Sequence, residues 1–256
     1  MASIKNIIKR LKLPPKHSHK GQNGKLLIIG GSRWYHGAPM LSILAARRFV
    51  DLVYFYPGEW NEQMVKAVRT IPEVIVLPNL RRIEEMDCVL FGIGLGTALF
   101  PARILQRAKR LVIDGNGLKL IKGWMELTKG AVLTPHEGEF RTLFGIPGTK
   151  ENVKKAAKKY GCIILKKDPH GDIITDGKRI FVNHTHNQGM TKGGTGDVLS
   201  GLVAALACKN EPLVAAVTGA YICGTAGNSL KKEFGYNFSA SDLANELSKT
   251  VKRLSL

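Results

Sequence analysis

The chain has 256 residues, of which 44% are hydrophobic and 23% charged, and this is enough apolar sequence to bury one sizeable core. No apolar run reaches the roughly 18–20 residues that cross a bilayer, so we expect no membrane segment. The four cysteines lack metal-ligand spacing, so we expect buried thiols in a reducing cytoplasm. The net charge of +18 attracts anions, but no recognition motif accompanies it, so we expect no specific nucleic-acid partner.

Short apolar runs alternate with amphipathic stretches in the first part of the chain. The predicted strands are residues 26–29, 52–56, 74–77, 88–91, 111–113 and 131–133. The helical patterns between them are residues 40–49, 61–69 and 102–108. Continuous apolar strands that alternate with helices predict an α/β fold, with a mostly parallel central sheet covered by helices on both faces.

The pattern changes after a basic helical stretch around residues 150–159. Closely spaced strands are predicted at residues 162–165, 172–175 and 180–182, and Asp176-Gly177 between the last two is a hairpin signal. Helical patterns follow at residues 198–207, 212–232 and 241–254. Since no linker-like stretch divides these elements, we predict one domain over residues 1–256.

The glycine-rich run at residues 187–201 carries the clearest chemical signal. Gly193, Gly194 and Gly196 allow backbone amides to approach an anion, and the helix that follows directs its unpaired amides to the same place. Asp197 falls in the first turn of that helix, where a carboxylate beside a phosphoryl group can accept a hydroxyl proton. The alternative is a structural turn in which Asp197 only caps the helix. The P-loop pattern G-x-x-x-x-G-K-[ST] is absent.

Two further glycine turns follow predicted strands. Gly30-Gly-Ser32 leads into Tyr35-His-Gly-Ala-Pro39, and Gly92-Ile-Gly-Leu-Gly-Thr97 ends another strand. Both turns lie at the carboxyl ends of strands, where open α/β sheets bind ligands. The second turn departs from the dinucleotide-binding fingerprint because Thr97 replaces its third glycine.

A helix start is predicted in Thr134-Pro-His-Glu-Gly-Glu139. We expect Thr134 to be the N-cap, Pro135 to be the first helical residue and Glu137 to complete a capping box. His136 and Glu139 then project from the start of the helix. His136 is either a ligand contact or an ordinary surface residue of the capping region.

Taken in order, these segments resemble the ADP- or ATP-dependent NAD(P)H-hydrate dehydratases, which are relatives of ribokinase. The shared motifs are His19-Lys-Gly, Gly-Gly-Ser with Tyr-x-Gly-Ala-Pro, Gly92-x-Gly-x-Gly96, Thr134-Pro-His-x-Gly-Glu139 and Asn187-x-Gly-Met with Gly-Gly-Thr-Gly-Asp197. The resemblance implies a ribokinase-like fold in a single-domain form without the epimerase domain. It also implies dehydration of the S epimer of hydrated NADH and NADPH, driven by ADP or ATP through phosphorylation of the 6-hydroxyl.

The resemblance also implies roles for individual residues. Asp197 would be the catalytic base and would contact the hydrated dinucleotide together with Ala38, Gly96 and His136. Glu139 would organise Mg²⁺ through water. The residues expected to bind the adenine nucleotide are Lys166, Lys167, Gly193, Gly194, Thr195 and Gly196. The expected partners are a second copy of the chain in a homo-oligomer and a separate epimerase protein.

Three segments depart from the usual family pattern. Lys166-Lys-Asp-Pro-His170 replaces Lys-Gly-Ala-Gly-Thr, Lys192 replaces a small residue, and Asp114-Gly-Asn-Gly-Leu118 replaces Asp-Ala-Asp-Ala-Leu. The main alternative is a ribokinase-like small-alcohol kinase, such as a hydroxyethylthiazole kinase, which would release a stable phosphate ester. A basic nucleic-acid-binding protein and a binding module without catalysis are lesser alternatives. Of the two donors, the resemblance favours ADP.

Overall fold

A computed structural model of the chain describes residues 4–97 and 100–255. The strands are β1 Lys25–Gly30, β2 Leu52–Pro57, β3 Val74–Val76, β4 Cys88–Phe91, β5 Leu111–Ile113, β6 Val132–Leu133, β7 Ile163–Lys166, β8 Asp172–Thr175 and β9 Ile180–Asn183. The α-helices are α1 Ile4–Ile8, α2 Gly37–Ala46, α3 Glu62–Arg69, α4 Asn116–Leu120, α5 Glu137–Phe144, α6 Lys150–Tyr160, α7 Thr195–Ala207, α8 Pro212–Phe234 and α9 Ala240–Arg253. Short 3₁₀ turns lie at Ile83–Glu85, Ala102–Arg107, Ile121–Gly123, Met125–Thr128 and Gln188–Thr191.

All of these strands belong to one sheet with the order β3-β2-β1-β4-β5-β6-β7-β8-β9. Neighbouring strands are parallel from β3 to β7, and β8 and β9 add an antiparallel edge. The hairpin predicted at Asp176-Gly177 joins β8 to β9, with Thr175 opposite Ile180. The predicted mostly parallel sheet is therefore confirmed. The strand order reverses between β1 and β4, and ligands bind at such a switch point in open α/β sheets.

The core has two parts, one on each face of the sheet. Alternate residues of β1 point to opposite faces, so Leu26 and Ile28 lie in one cluster and Leu27 and Ile29 lie in the other. Helices α2, α7, α8 and α9 cover the first face, and α4, α5 and α6 cover the second. Helices therefore cover both faces of the sheet, as predicted. The four cysteines are buried free thiols.

Helix α8 is long and apolar enough to cross a membrane by length and composition. However, 78% of its most apolar window is buried inside the fold. It packs against α7 and α9, and its apolar residues belong to the first core cluster. Its apolar surface is therefore used for packing within the fold.

The structure corrects several predicted helix bounds. Helix α2 begins at Gly37 and not at residue 40. Pro39 is tolerated in its first turn, because an N–H there has no acceptor within the helix and the N–H that proline lacks is not missed. Helix α7 begins at Thr195, three residues before its predicted start, so its first turn contains Asp197 as expected. The segment predicted as a helix at residues 102–108 is a 3₁₀ turn over Ala102–Arg107, a geometry that short segments can adopt. The five-residue helices α1 and α4 had no clear sequence signal.

Candidate active site

The candidate site lies along the carboxyl edge of the parallel strands. The loops after β1, β4, β5, β6 and β7 all leave the sheet at this edge, because these strands are parallel. Most of the site residues predicted from the sequence lie on these loops or at the start of α7. The fold therefore brings together segments that are far apart in the sequence.

The loops after β1 and β4 form the switch-point crevice, which we define as residues 31–38 and 92–97. The two loops are so close that a Cβ added to Gly94 would lie 2.9 Å from the Cβ of Ala38. Gly96 has a φ of +61°, and a Cβ added there would lie 2.9 Å from Ser32 Oγ. Ala38 and Gly96, both predicted to contact the dinucleotide, therefore line adjoining loops. A side chain at position 94 or 96 would therefore crowd this approach.

Two polar groups adjoin the crevice. The side-chain amide of Asn116 donates a hydrogen bond to the carbonyl oxygen of Gly96, which a carboxylate could not do. The Ser32 hydroxyl is buried and has no hydrogen-bond partner within residues 4–97 and 100–255. Neither Ser32 nor Asn116 was predicted to have a role in the site. Both follow the end of a strand at the carboxyl edge, and this position was the signal that could have identified them.

The glycine turn, which we define as residues 193–196, contacts several other parts of the fold. Gly194 is the N-cap of α7 with a φ of +93°, and a Cβ added there would lie 3.0 Å from the Cβ of Ala240. Thr195 donates a hydrogen bond from its hydroxyl to the carbonyl of Met190 at 2.6 Å. Gly193 is exposed, and a Cβ added there would meet nothing within 4 Å. The amides of the first turn of α7 have no acceptor within the helix, which makes this turn suitable for an anion.

Asp197 lies in the first turn of α7 and is only partly exposed. Burial raises the pKa of its carboxyl group from 3.8 to about 7, and the charges of Asp114 and Glu139 add to this rise, whereas Lys167 opposes it. The main-chain carbonyl of Asp197 accepts a hydrogen bond from Ser42 Oγ at 2.7 Å, which ties α7 to α2. A carboxylate with a pKa near neutrality can accept a proton and release it again.

Lys167 brings a positive charge to the same place. Its ammonium nitrogen lies 3.0 Å from Asp114 Oδ1 and 3.9 Å from Glu139 Oε2. A Cβ added to Gly196 would lie 3.6 Å from this nitrogen, so the ammonium adjoins the glycine turn. Burial lowers the pKa of Lys167, but Asp114 and Glu139 outweigh burial and raise it overall. Lys167 is therefore a charged residue of the site.

Lys166, which was also predicted to bind the nucleotide, is placed differently. Its side chain is buried, and its ammonium lies 2.5 Å from Asp168 Oδ2 and 3.0 Å from Glu137 Oε2. Lys192, which stands beside the glycine turn, donates hydrogen bonds to the carbonyls of Tyr236 and Phe238 at 2.6 and 2.7 Å. Both lysines thus have protein partners.

The predicted capping box of α5 is wrong by two residues. His136 is the N-cap, and its Nδ1 accepts hydrogen bonds from the amides of Gly138 at 3.0 Å and Glu139 at 3.3 Å. The carboxylate of Glu139 accepts a hydrogen bond from the amide of His136 at 2.9 Å. Thr134 and Pro135 remain extended because the β6–β7 pairing continues past the ends of the two strands. The amide of Lys167 donates a hydrogen bond to the carbonyl of Pro135, and Lys167 also forms a bridge with His136. The helix can therefore begin only after His136.

The described residues contain no group of three or more His, Cys, Asp or Glu side chains that could hold a metal ion. Glu139, the predicted Mg²⁺ residue, is engaged by the His136 amide and lies near Lys167. These side chains therefore do not fit an ion held by the protein alone. A Mg²⁺ ion organised by Glu139 through water remains a prediction.

A cavity of about 320 Å³ opens beside the glycine turn. Its walls come from the loop after β7, the segment before the turn, the first residues of α7 and the middle of α8. Of the predicted nucleotide-binding residues it includes Lys167, Thr195 and Gly196, and it also includes His136. Lys166, Gly193 and Gly194 are not among its lining residues. The cavity is a concave space of the size that small ligands occupy.

Residues 26–252 match the protein family described as NAD(P)H-hydrate dehydratase. An ADP-dependent (S)-NAD(P)H-hydrate dehydratase of Nitrosopumilus maritimus is 36% identical, and the similarity covers 92% of this chain and 91% of that protein. A bifunctional NAD(P)H-hydrate repair enzyme of Hyperthermus butylicus is also 36% identical over 90% of this chain, which corresponds to 49% of that protein. This chain therefore spans about half the length of the bifunctional relative.

Solved structures agree with these sequence matches. A ribokinase-like superfamily protein of Enterococcus faecalis superposes with a TM-score of 0.87 at 25% identity, over 98% of this chain and 95% of that one. An ADP/ATP-dependent NAD(P)H-hydrate dehydratase of Bacillus subtilis, co-crystallized with ATP/Mg²⁺, gives a TM-score of 0.79 at 22% identity, over 98% and 97%. The second likeness shows the fold alone. The match over residues 26–252 and the 36% identical relatives show that this chain belongs to the NAD(P)H-hydrate dehydratase family.

Proposed function

We propose that this protein dehydrates the S epimer of hydrated NADH and NADPH, with ADP or ATP as the phosphoryl donor. Family membership supports the substrate, and the site supports the chemistry. The observation that carries the proposal is Asp197. It lies in the first turn of α7, directly after the glycine turn, and burial raises its pKa to about 7.

The first step is phosphoryl transfer to the 6-hydroxyl group of the hydrated ring. The hydroxyl oxygen forms a bond to the terminal phosphorus of the nucleotide, and the bond from that phosphorus to the bridging oxygen breaks. The electron pair of the broken bond goes to the leaving nucleotide, which is AMP from ADP or ADP from ATP. The hydroxyl proton goes to the carboxylate of Asp197, and the amides of the glycine turn stabilise charge on the moving phosphoryl group.

The second step is the loss of inorganic phosphate. The bond between C6 and oxygen breaks, and its electron pair leaves with the phosphate. A proton passes from C5 to the released phosphate, and the double bond between C5 and C6 restores the dihydronicotinamide ring. Phosphorylation is useful because hydroxide is a poor leaving group, whereas phosphate leaves readily. The reaction consumes one phosphoryl group for each cofactor repaired.

The two substrates are proposed to enter from opposite sides of Asp197. The hydrated dinucleotide occupies the switch-point crevice, where Ala38 and Gly96 allow close backbone approach. The adenine nucleotide occupies the cavity of about 320 Å³ beside Thr195 and Gly196, with its terminal phosphates on the glycine turn. We further propose that the protein acts in the cytoplasm as a homo-oligomer, alongside a separate epimerase.

A direct assay tests the proposal. Purified protein is mixed with hydrated NADH, Mg²⁺ and either ADP or ATP, and the absorbance of the restored dihydronicotinamide ring is followed. We expect regeneration of NADH that depends on the nucleotide and is lost in Asp197→Asn. Comparing initial rates with the two nucleotides identifies the preferred donor.

The same assay separates dehydration from the alternative of a small-alcohol kinase. Hydroxyethylthiazole in place of the hydrated cofactor would give a stable phosphate ester if the protein were such a kinase. Fold similarity does not distinguish these reactions, because both can use a ribokinase-like scaffold. Accumulation of a phosphorylated alcohol without regeneration of NADH would overturn the proposed function.

A further inference from the structure

The ammonium group of Lys167 takes no part in the reaction steps described above. It lies 3.0 Å from Asp114 Oδ1 and 3.9 Å from Glu139 Oε2, and it adjoins the glycine turn at Gly196. We propose that Lys167 is the resident cation of the phosphoryl-transfer site: it contacts the transferred phosphoryl group, and it keeps divalent cations out of the surrounding carboxylates. This inference rests on the proposed function, because it assigns a role within the same reaction.

The position of Lys167 is set by the sheet and not by a flexible loop. Its amide donates to the carbonyl of Pro135 at 2.9 Å, and it forms a parallel bridge with His136. The side chain therefore starts from an extension of the β6–β7 pairing. Since adjacent residues of an extended chain point to opposite sides, Lys166 points into its buried ion pairs while Lys167 points into the site. This placement is the rigid kind that a group contacting a transition state requires.

The local charges explain why a cation is needed here. Asp114 and Glu139 lie 3.0 and 3.9 Å from the ammonium group, and the negative charge of Asp197 also acts on it. A nucleotide phosphate brings further negative charge to the adjoining glycine turn. Without Lys167, the phosphoryl group would approach the carboxylates of Asp114 and Glu139 without the ammonium group that lies beside them. The ammonium compensates part of this charge and has N–H donors to offer, because a lysine ammonium has three.

The same contacts disfavour a divalent ion at the carboxylates. Mg²⁺ binds oxygen at about 2.0–2.1 Å and holds its remaining waters in octahedral geometry. An ion on Asp114 or Glu139 would therefore lie within a few ångströms of the Lys167 ammonium and would be repelled by it. A divalent ion in this reaction is then held by the nucleotide phosphates.

Lys167 changes no covalent bond in the proposed step. Its N–H groups donate to the non-bridging oxygens of the phosphoryl group while the bond to the 6-hydroxyl oxygen forms and the bond to the leaving nucleotide breaks. The hydroxyl proton goes to Asp197, and Lys167 keeps its own protons throughout. Its contribution is electrostatic stabilisation of the transferring group.

Mn²⁺ binding measured by electron paramagnetic resonance tests the exclusion of metal. The full-length protein is titrated with Mn²⁺ in the absence of nucleotide, as wild type, Lys167→Arg and Lys167→Met. We expect no bound Mn²⁺ for wild type or for Lys167→Arg, which keeps the charge, and one bound ion for Lys167→Met. Lys192→Met is the matched control, because it removes a lysine bonded to main-chain carbonyls beside the same turn, and it should bind no Mn²⁺. Binding by wild type, or none by Lys167→Met, overturns the proposal.

A kinetic measurement tests the contact with the phosphoryl group. Lys167→Met should lower kcat by about 10²-fold, the loss expected when one donor to a transition-state oxyanion is removed, and Lys167→Arg should recover part of it. An unchanged kcat in Lys167→Met overturns the catalytic role. If Lys167→Met does not fold, as judged by its circular dichroism melt, Lys167→Gln replaces it in both measurements with the same expected results. Absence of NADH regeneration by wild type would overturn the proposed function instead, while the Mn²⁺ result would stand.

Discussion

The two sides of the candidate site are built in different ways. The switch-point crevice is shaped by backbone and by small residues such as Gly94 and Gly96, and its loops touch almost directly. The opposite side is a cluster of charges in which Asp114, Glu139, Lys167 and Asp197 come from four different elements. In the proposed reaction, the first side selects the substrate by shape, and the second provides proton transfer and charge stabilisation. Substitutions on the two sides should therefore affect different kinetic constants.

The largest effect is expected on the charged side, from Asp197→Asn. Removal of a positioned general base lowers kcat by about 10²–10⁴-fold. The Kd for ADP, measured by calorimetry, should change little, because the amides of the glycine turn are retained. Turnover within a few-fold of wild type would show that Asp197 is not the catalytic base.

On the crevice side, Gly96→Ala should act on substrate binding. Gly96 has a φ of +61°, and the added Cβ would lie 2.9 Å from Ser32 Oγ, so the crevice must shift. We expect the KM for the hydrated cofactor to rise about 10–100-fold, which corresponds to roughly 1.4–2.8 kcal/mol, while the KM for ADP is unchanged.

Gly130→Ala is the matched control for this substitution. Gly130 also has a positive φ, +75°, but a Cβ added there meets nothing within 4 Å, and the residue lies at the amino end of β6. It should lose similar stability without a change in either KM. Equal KM values for the hydrated cofactor in Gly96→Ala and Gly130→Ala would show that the crevice does not select the substrate.

The contrast between the two sides also explains what the sequence could predict. The strands β1–β9 and the turn before α7 follow from local patterns, since apolar runs, Asp176-Gly177 and the glycines act over a few residues. The charged side depends on pairings between distant segments. Lys166 and Lys167 are identical neighbours in the sequence, and only the continuation of the β6–β7 pairing places one in buried ion pairs and the other in the site. Because of the same pairing, the N-cap of α5 is His136 and not the predicted Thr134.

A smaller effect of Asp197→Asn is expected on stability. Because the pKa of Asp197 is raised from 3.8 to about 7 in the folded protein, the native state holds its proton more tightly than the unfolded chain does. The stability from this proton is present below pH 3.8 and is lost as the pH rises to about 7. At pH 8, Asp197→Asn should therefore be more stable than wild type by about 1–3 kcal/mol in urea unfolding, and the difference should shrink at pH 5.

Asp51→Asn is a control for which the opposite change in stability is expected. Burial alone would raise the pKa of Asp51, but hydrogen bonds from the amides of Asn23 and Gly21 outweigh burial and lower it. The carboxylate of Asp51 therefore stabilises the fold above pH 3.8, and Asp51→Asn should be less stable than wild type at pH 8. A loss of stability in both variants at pH 8 would contradict the raised pKa of Asp197.

The smallest effect concerns His136, which caps α5 and lines the cavity of about 320 Å³ beside the glycine turn. Its Nδ1 caps α5, so the ring hydrogen lies on Nε2, from where it can be donated to a ligand. His136→Ala removes both functions and should cost about 0.5–2 kcal/mol of stability together with a rise of about 10-fold in the KM for the hydrated cofactor. His136→Asn keeps an oxygen acceptor suited to an N-cap but lacks the imidazole Nε2. It should therefore retain the unfolding midpoint of wild type and still show the raised KM for the hydrated cofactor. If His136→Asn matches wild type in every KM, His136 is a cap alone, and the substrate is held by the crevice without it.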